Sequence, residues 1–230
     1  MALPWKTLDR FVIEAEGVLE LRQRGIGDYL ISIGNQVLMN SKAQRSEIAL
    51  GVLGCKELKG MAEPRVLVGG LGMGITLRAV LNELPTGAQV VVAELNPQIC
   101  AWCLGPLAEL TDDAARDPRV TLEVGDVSAL IQRAVPGSFD AVILDLYRGP
   151  GPQTDALKDP IYGSRAIGRT LRALKHGGTF AVWGENPDLG FERRLSAAGF
   201  SVRCERPGKG GYRHAVWVAQ KRNHSVGDRH

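Results

Sequence analysis

A chain of 230 residues, 44% of them hydrophobic and with a formal charge of +3, is long enough for one well-buried core with a small appendage and short for two full domains. The basic excess gathers toward the C-terminus, in Arg203, Arg206, Lys209, Arg213, Lys221, Arg222 and Arg229, without the dense stripe that would point to nucleic acid. No apolar run approaches the ~20 residues of a membrane span, and no apolar segment of a secretory signal precedes Phe11, so a reduced, cytoplasmic setting is expected for the four cysteines.

Residues 1–60 read as a β-rich extension. Gly17–Arg22, Tyr29–Ile33 and Gln36–Met39 are short apolar or β-branched runs separated by glycines, with Gly34-Asn35 as a turn. They predict a small antiparallel meander. Ser46-Glu47 then opens an apolar helix through Leu53, with Ser46 as its expected N-cap.

From residue 61 to 221 strands and helices alternate. Strands are predicted at Val66–Val68, Gln89–Ala93, Val120–Val124, Asp140–Leu144 and Thr179–Trp183, with helices at Ile75–Leu84, Pro97–Leu110, Ser164–Leu174 and Leu189–Ala198. The stretches Phe200–Arg206 and His214–Ala219 close the domain as a hairpin around the Gly208–Gly211 turn. Continuous apolar strands separated by helices imply an α/β fold, a doubly wound, seven-stranded, mostly parallel sheet covered on both faces. Residues 222–230 read as a polar, disordered tail. Cys100-Ala-Trp-Cys103 has a metal or redox spacing. It lies in a predicted helix and lacks a second ligand pair, so it reads as helix packing, and no metal is expected.

Four features fall at the carboxyl ends of successive strands. Val68-Gly69-Gly70-Leu71-Gly72-Met73-Gly74 places Gly70, Gly72 and Gly74 between a strand and a helix, where bare backbone can lie against a ligand. Glu94, followed by Leu95, ends the next strand and can accept both hydroxyls of a ribose. Gly125-Asp126-Val127 follows the third strand, with a carboxylate to accept from an adenine amino group and an apolar side chain to line the ring. Asp145 ends the fourth. In open α/β sheets this edge is where ligands bind.

These motifs resemble the class I, Rossmann-like, S-adenosylmethionine-dependent methyltransferases. Over Gly17 to Ala219 the arrangement is similar to the spermidine synthase-like branch, whose extension and gate the meander, Met39-Asn40-Ser41 and Ser46-Glu47 resemble. The resemblance implies that Gly70, Gly72 and Gly74 hold the amino-acid portion of S-adenosyl-L-methionine, Glu94 the ribose and Asp126 the adenine region, with Leu95, Gly125 and Val127 also in the cofactor site and S-adenosylhomocysteine as product. It also implies a homodimer.

Two features of polyamine synthases are missing. In that branch an acid recurs three residues after the acid matched by Asp145; here the stretch is Asp145-Leu146-Tyr147-Arg148-Gly149-Pro150. A cation at Arg148 repels a polyammonium substrate. Ile48, Ala49 and Leu50 follow Glu47 where the branch has a Tyr-His pair. The expected activity is therefore methyl transfer to a small-molecule N or O acceptor. Aminopropyl or aminocarboxypropyl transfer from the same or the decarboxylated sulfonium is the alternative. Asp145 and Tyr147 are the candidates for orienting or deprotonating the acceptor. Arg148 could pair with an acceptor carboxylate or phosphate. Glu47, Trp183 and Glu185 are expected to line the acceptor pocket and Tyr162 to close it, with Gly149–Pro160, carrying Asp155 and Asp159, as its lid. The basic, glycine-rich stretch 206–214 reads as a hairpin loop.

Overall fold

A computed structural model describes residues 3–14, 16–207 and 214–222. The chain opens with a four-stranded antiparallel sheet in the order β1 (Lys6–Ile13), β2 (Gly17–Gln23), β3 (Tyr29–Ile33), β4 (Gln36–Asn40). Strand β1 was not expected from sequence. Its side chains are mostly exposed or half-buried, so it carries little apolar pattern. Leu8 and Ile13 pack against the core, and polar contacts add to the docking: Asp9 accepts from Gln98 Nε2 at 2.6 Å and from Trp102 Nε1 at 2.8 Å.

Helix α1 (Arg45–Cys55) follows. Its N-cap is Gln44, two residues earlier than expected. Ser46 lies in the first turn, where its hydroxyl turns to other partners.

The second sheet contains β5 (Arg65–Gly69), β6 (Gln89–Glu94), β7 (Val120–Val124), β8 (Phe139–Leu144), β9 (Leu174–Gly184), β10 (Phe200–Glu205) and β11 (Ala215–Lys221). Its order is β10-β11-β9-β8-β5-β6-β7, and only β11 runs antiparallel to its neighbours. Helices α2 (Ile75–Glu83), α3 (Pro97–Cys103), α4 (Val127–Arg133), α5 (Ser164–Ala173) and α6 (Leu189–Ala197) supply the crossovers. The expected seven-stranded, mostly parallel α/β sheet with an antiparallel N-terminal extension is what forms. Two hydrophobic cores cover its faces, and all six residues of β8 are buried between them. No helix among the described residues is long and apolar enough to cross a membrane.

Three boundaries differ from expectation. Helix α3 stops at Cys103 instead of Leu110, because Pro106 lacks an amide proton and disfavours helix at Gly105; Gly105 N and Leu107 N both turn back to Trp102 O. Helix α4 was not foreseen. It is seven residues long, too short to show a period, and starts where Asp126 accepts from Ser128 N at 2.8 Å. Strand β9 is counted from Leu174, with residues 175–178 extruded between the pairs Phe139–Leu174 and Ala141–Thr179.

Helix α1 packs on α2 and over β8, β9 and β11, at glycines that admit no side chain. A Cβ on Gly51 would lie 2.7 Å from Ala79 Cβ and 3.0 Å from both Thr76 O and Val80 N. Since two of those atoms are backbone, Gly51→Ala should destabilise the protein by about 1–3 kcal/mol. Gly168→Ala, on α5 where an added Cβ meets nothing within 4 Å, should stabilise by about 0.5–1 kcal/mol. Urea midpoints of the two variants against wild type check both signs.

Candidate active site

Strand order reverses between β5 and β8, and the site lies outside their carboxyl ends, at the switch point of the sheet. The two ends stay locked: Asp145 N donates to Gly69 O at 2.8 Å. Gly70, with φ of +86°, passes so close that a Cβ there would run into Asp145 O. Gly72 lies beneath the N-terminal sheet, and its missing Cβ would fall 2.5 Å from Met39 Sδ. From behind, the Cys103 thiol donates to Gly72 O at 3.2 Å. Burial pushes that thiol up to about 12, and Cys100 and Cys103 are free, buried thiols, so the pair packs as expected. The glycine loop is thus pinned on both faces.

Glu94 is oriented by backbone amides. Oε2 accepts from Leu71 N at 2.8 Å and Oε1 from Asn96 N at 2.9 Å. The carboxylate is fixed in the cavity wall with lone pairs left for further donors. Asp126 serves as the N-cap of α4, Oδ1 taking Ser128 N and Oδ2 taking Ser128 Oγ at 2.6 Å. The adenine role expected for it therefore shares a carboxylate already engaged with the helix.

Asp145 sits at the cavity floor. Burial raises its carboxyl to about 7, opposed by a short hydrogen bond from Thr76 Oγ1 and reinforced by the negative charge of Glu47. Thr76, in the first turn of α2, also lies 3.3 Å from Glu47 O and ties the two acids together. Glu47 in turn accepts from Ser46 Oγ at 2.7 Å, and Ser46 Oγ is 3.0 Å from His214 Nδ1. The His214 ring packs edge-on against Trp183, with centroids 4.8 Å apart.

These groups surround a cavity of about 710 Å³. Of the expected residues, Gly70, Gly72, Glu94, Leu95, Gly125, Asp126, Val127, Asp145, Tyr147, Arg148, Trp183 and Glu47 line it. Three sit elsewhere. Gly74 caps α2, its N–H donating to Leu71 O at 2.7 Å, so it shapes the loop from outside the cavity. Tyr162 is buried behind the wall, where its hydroxyl donates to Arg148 O at 2.9 Å and its ring packs edge-on to Phe191. It braces the stretch carrying Arg148 instead of closing the pocket. Glu185 is exposed and lines a neighbouring cleft of about 470 Å³ with Gln36 and Gln153, which meets the main cavity at Tyr147 and Arg148. Asp155 and Asp159 accept from the backbone of their own loop, holding it in shape. The stretch 206–214 falls largely on residues 208–213, which lie outside the described residues, as do 223–230 of the tail.

Sequence reasoning missed Thr76, the Ser46–His214 contact and the apolar roof of Phe11, Ile13, Ile33 and Leu38. Thr76 had a usable signal, its place in the first helical turn after the glycine loop. The Ser46–His214 pair, 168 residues apart, had none.

No family model matches the chain. Over 122 residues it is 30% identical to putrescine N-methyltransferase 4 of Nicotiana tabacum, a match covering 53% of this chain and 30% of that protein. It is 31% identical over 122 residues to spermidine synthase 1 of Pisum sativum, covering 53% of this chain and 34% of that protein. The chain spans about a third of the length of the curated relatives it matches. The crystal structure of spermidine synthase from Thermotoga maritima superposes with a TM-score of 0.74 at 17% identity, over 94% of this chain and 73% of that one. The chain has a spermidine synthase-like fold. In this spermidine synthase-like fold, Glu47, Glu94, Asp126 and Asp145 share one cavity with a single lining cation among the described residues, Arg148.

The raised carboxyl of Asp145 has a stability consequence. Between its ordinary value of 3.8 and about 7, the folded state keeps a proton that the unfolded chain has lost. Stability from this group therefore falls as pH rises through that window and levels off above it. Asp145→Asn removes the effect, so its stability relative to wild type should climb by up to about 1.4 kcal/mol per pH unit inside the window. Urea unfolding of both proteins between about pH 4.5 and 8 measures this; a constant difference would mean that the carboxyl is not perturbed as described.

Proposed function

We propose that this protein is an S-adenosylmethionine-dependent methyltransferase acting on a small-molecule acceptor. The observation that carries the reading is the Glu94 carboxylate, held by the Leu71 and Asn96 amides at the edge of the glycine loop. A ribose presents two adjacent hydroxyl donors, and a carboxylate fixed by backbone is a matched acceptor pair for them. The surroundings fit the rest of the cofactor. The glycine loop offers bare backbone to the amino-acid portion, Leu95 and Val127 offer apolar surface to a base, and 710 Å³ leaves room for an acceptor beside it.

When bound, S-adenosylmethionine supplies a methyl carbon made electrophilic by its sulfonium. The protein's own task is to align a nucleophile with that carbon and to take up its proton. Asp145, raised to about 7 by burial, is suited to the second task near neutral pH. Thr76 fixes its carboxyl, and Glu47 keeps a second negative charge beside it. Tyr147 lines the same cavity, and its hydroxyl is available to orient the acceptor.

A second reading, aminopropyl or aminocarboxypropyl transfer, is favoured by the similarity to spermidine synthases. The readings differ in the mass added to the acceptor, a methyl, an aminopropyl or an aminocarboxypropyl group, and aminopropyl transfer differs also in preferring the decarboxylated donor.

Calorimetric titration with S-adenosylmethionine, its decarboxylated form and NAD in parallel tests the reading. The carboxylated donor should bind best. Glu94→Ala should weaken that binding about 100-fold, the loss of two charge-assisted hydrogen bonds. Asp145→Asn should hold binding within a few-fold while slowing turnover at least ~100-fold. A Glu94→Ala variant that binds like wild type would remove the ribose assignment, and a preference for the decarboxylated donor would favour the second reading.

A further inference from the structure

Glu47 lines the cavity with Asp145 and is half-buried in the first turn of α1. Its negative charge acts on Asp145, and like charges in a mostly apolar pocket repel. A Glu47 side chain free to turn would leave Asp145 for water. The other cavity acids are held by their own surroundings, Glu94 by backbone amides and Asp126 by the start of α4. Among the described residues, the Glu47 carboxylate has a single hydrogen bond, accepted by Oε2 from Ser46 Oγ at 2.7 Å. Ser46 is buried, and its Oγ lies 3.0 Å from Nδ1 of His214, the residue that precedes β11.

The polarity of this chain follows from counting protons. An ionised carboxylate only accepts, and a hydroxyl has one proton to give. Ser46 gives it to Glu47, so the ring must donate the second bond, and His214 carries its proton on Nδ1. The same ring packs edge-on against Trp183 in the cavity wall, with centroids 4.8 Å apart. One histidine thus braces two wall residues from different elements, Trp183 directly and Glu47 through Ser46.

Resting on the reading above, in which Asp145 takes up the acceptor's proton, we propose that Ser46 and His214 are positioning residues that hold the Glu47 carboxylate beside Asp145. Neither touches the reacting atoms. They act by keeping a negative charge where it favours the protonated form of Asp145. Asp145 is faced by Glu47 from α1 and by Tyr162 from the segment before α5, with Thr76 of α2 donating to its carboxyl. Glu16, Glu94, Asp126 and Arg148 share the cavity wall. Of all these charges, Glu47 is the one whose place depends on a residue at the other end of the chain.

Nuclear magnetic resonance of the full chain, without ligand, tests this. In protein labelled at the histidine ring nitrogens, with His214→Asn identifying the signal, the neutral His214 ring should carry its proton on Nδ1. In protein labelled at the aspartate carboxyl carbons, with Asp145→Asn identifying the signal, the wild-type Asp145 titration should centre at about 7. In Ser46→Ala and His214→Ala the midpoint should fall by at least ~0.5 pH unit as Glu47 turns away. His214→Asn places its Nδ2–H where the ring Nδ1–H stood and should return most of that difference, whereas a merely structural role would not separate Asn from Ala. A wild-type ring bare at Nδ1, an Asp145 midpoint that stays in place in both alanine variants, or an Asn variant that behaves like Ala overturns the proposal. The ring tautomer is read on wild type and decides even where a variant fails to fold. Calorimetry of wild type with S-adenosylhomocysteine keeps the two readings apart: without binding, the cofactor reading fails, while the hydrogen-bond chain stands or falls on the spectra alone.

Discussion

The site depends on one close approach. Strands β5 and β8 leave the sheet side by side, and the chain at Gly70 passes against the carbonyl of Asp145 because no side chain intervenes. That contact sets the glycine loop and the catalytic candidate in one frame. The Asp145 carboxyl is then aimed at Thr76 on the helix that the same loop begins, and the loop's Leu71 amide reaches across to Glu94 on the next strand. A methyl group at position 70 would force apart the strand ends that carry the glycine loop and Asp145. The backbone amides that orient Glu94 are likewise fixed by the sheet, so the wall is organised before any ligand arrives.

Around that frame the electrostatics and the packing pull in different directions. Carboxylates gather at the carboxyl edge of the sheet, while the N-terminal sheet lowers an apolar roof over them. Burial makes each negative charge more costly, and the result is visible at Asp145, whose carboxyl rises to about 7. A surface carboxylate in the same position would be fully ionised at neutral pH and a poor proton acceptor.

Much of this was legible in the sequence, for identifiable reasons. The large sheet announced itself because buried parallel strands such as Val66–Val68 and Ala141–Leu144 are uniformly apolar, and the ligand edge followed from where Gly70, Glu94 and Asp145 terminate them. What escaped was whatever depends on contacts between distant segments or on polar docking. β1 is held in part by Asp9 reaching Gln98 and Trp102, contacts that leave no periodic trace in the sequence. Tyr162 looked like a pocket residue from its position after the loop, yet its ring faces Phe191 in the second core. Ser46 looked like a helix cap, and the structure gives its hydroxyl to Glu47 and His214 instead. In each case the residue type was informative about capability, and only the tertiary arrangement decided which capability is used.

The placement of β11 bears on how the molecule is made. The last strand among the described residues does not join at the rim; it inserts between β9 and β10. During synthesis β9 must therefore wait with an open hydrogen-bonding edge, and β10 has no partner in the sheet until the residues after it have emerged. An open strand edge beside a fully apolar neighbour such as β8 invites pairing with other chains. His214, which touches the cavity network through Ser46, arrives with that same strand. Completion of the sheet thus waits for the same segment that brings His214 to Ser46, and a chain lacking that segment has neither contact.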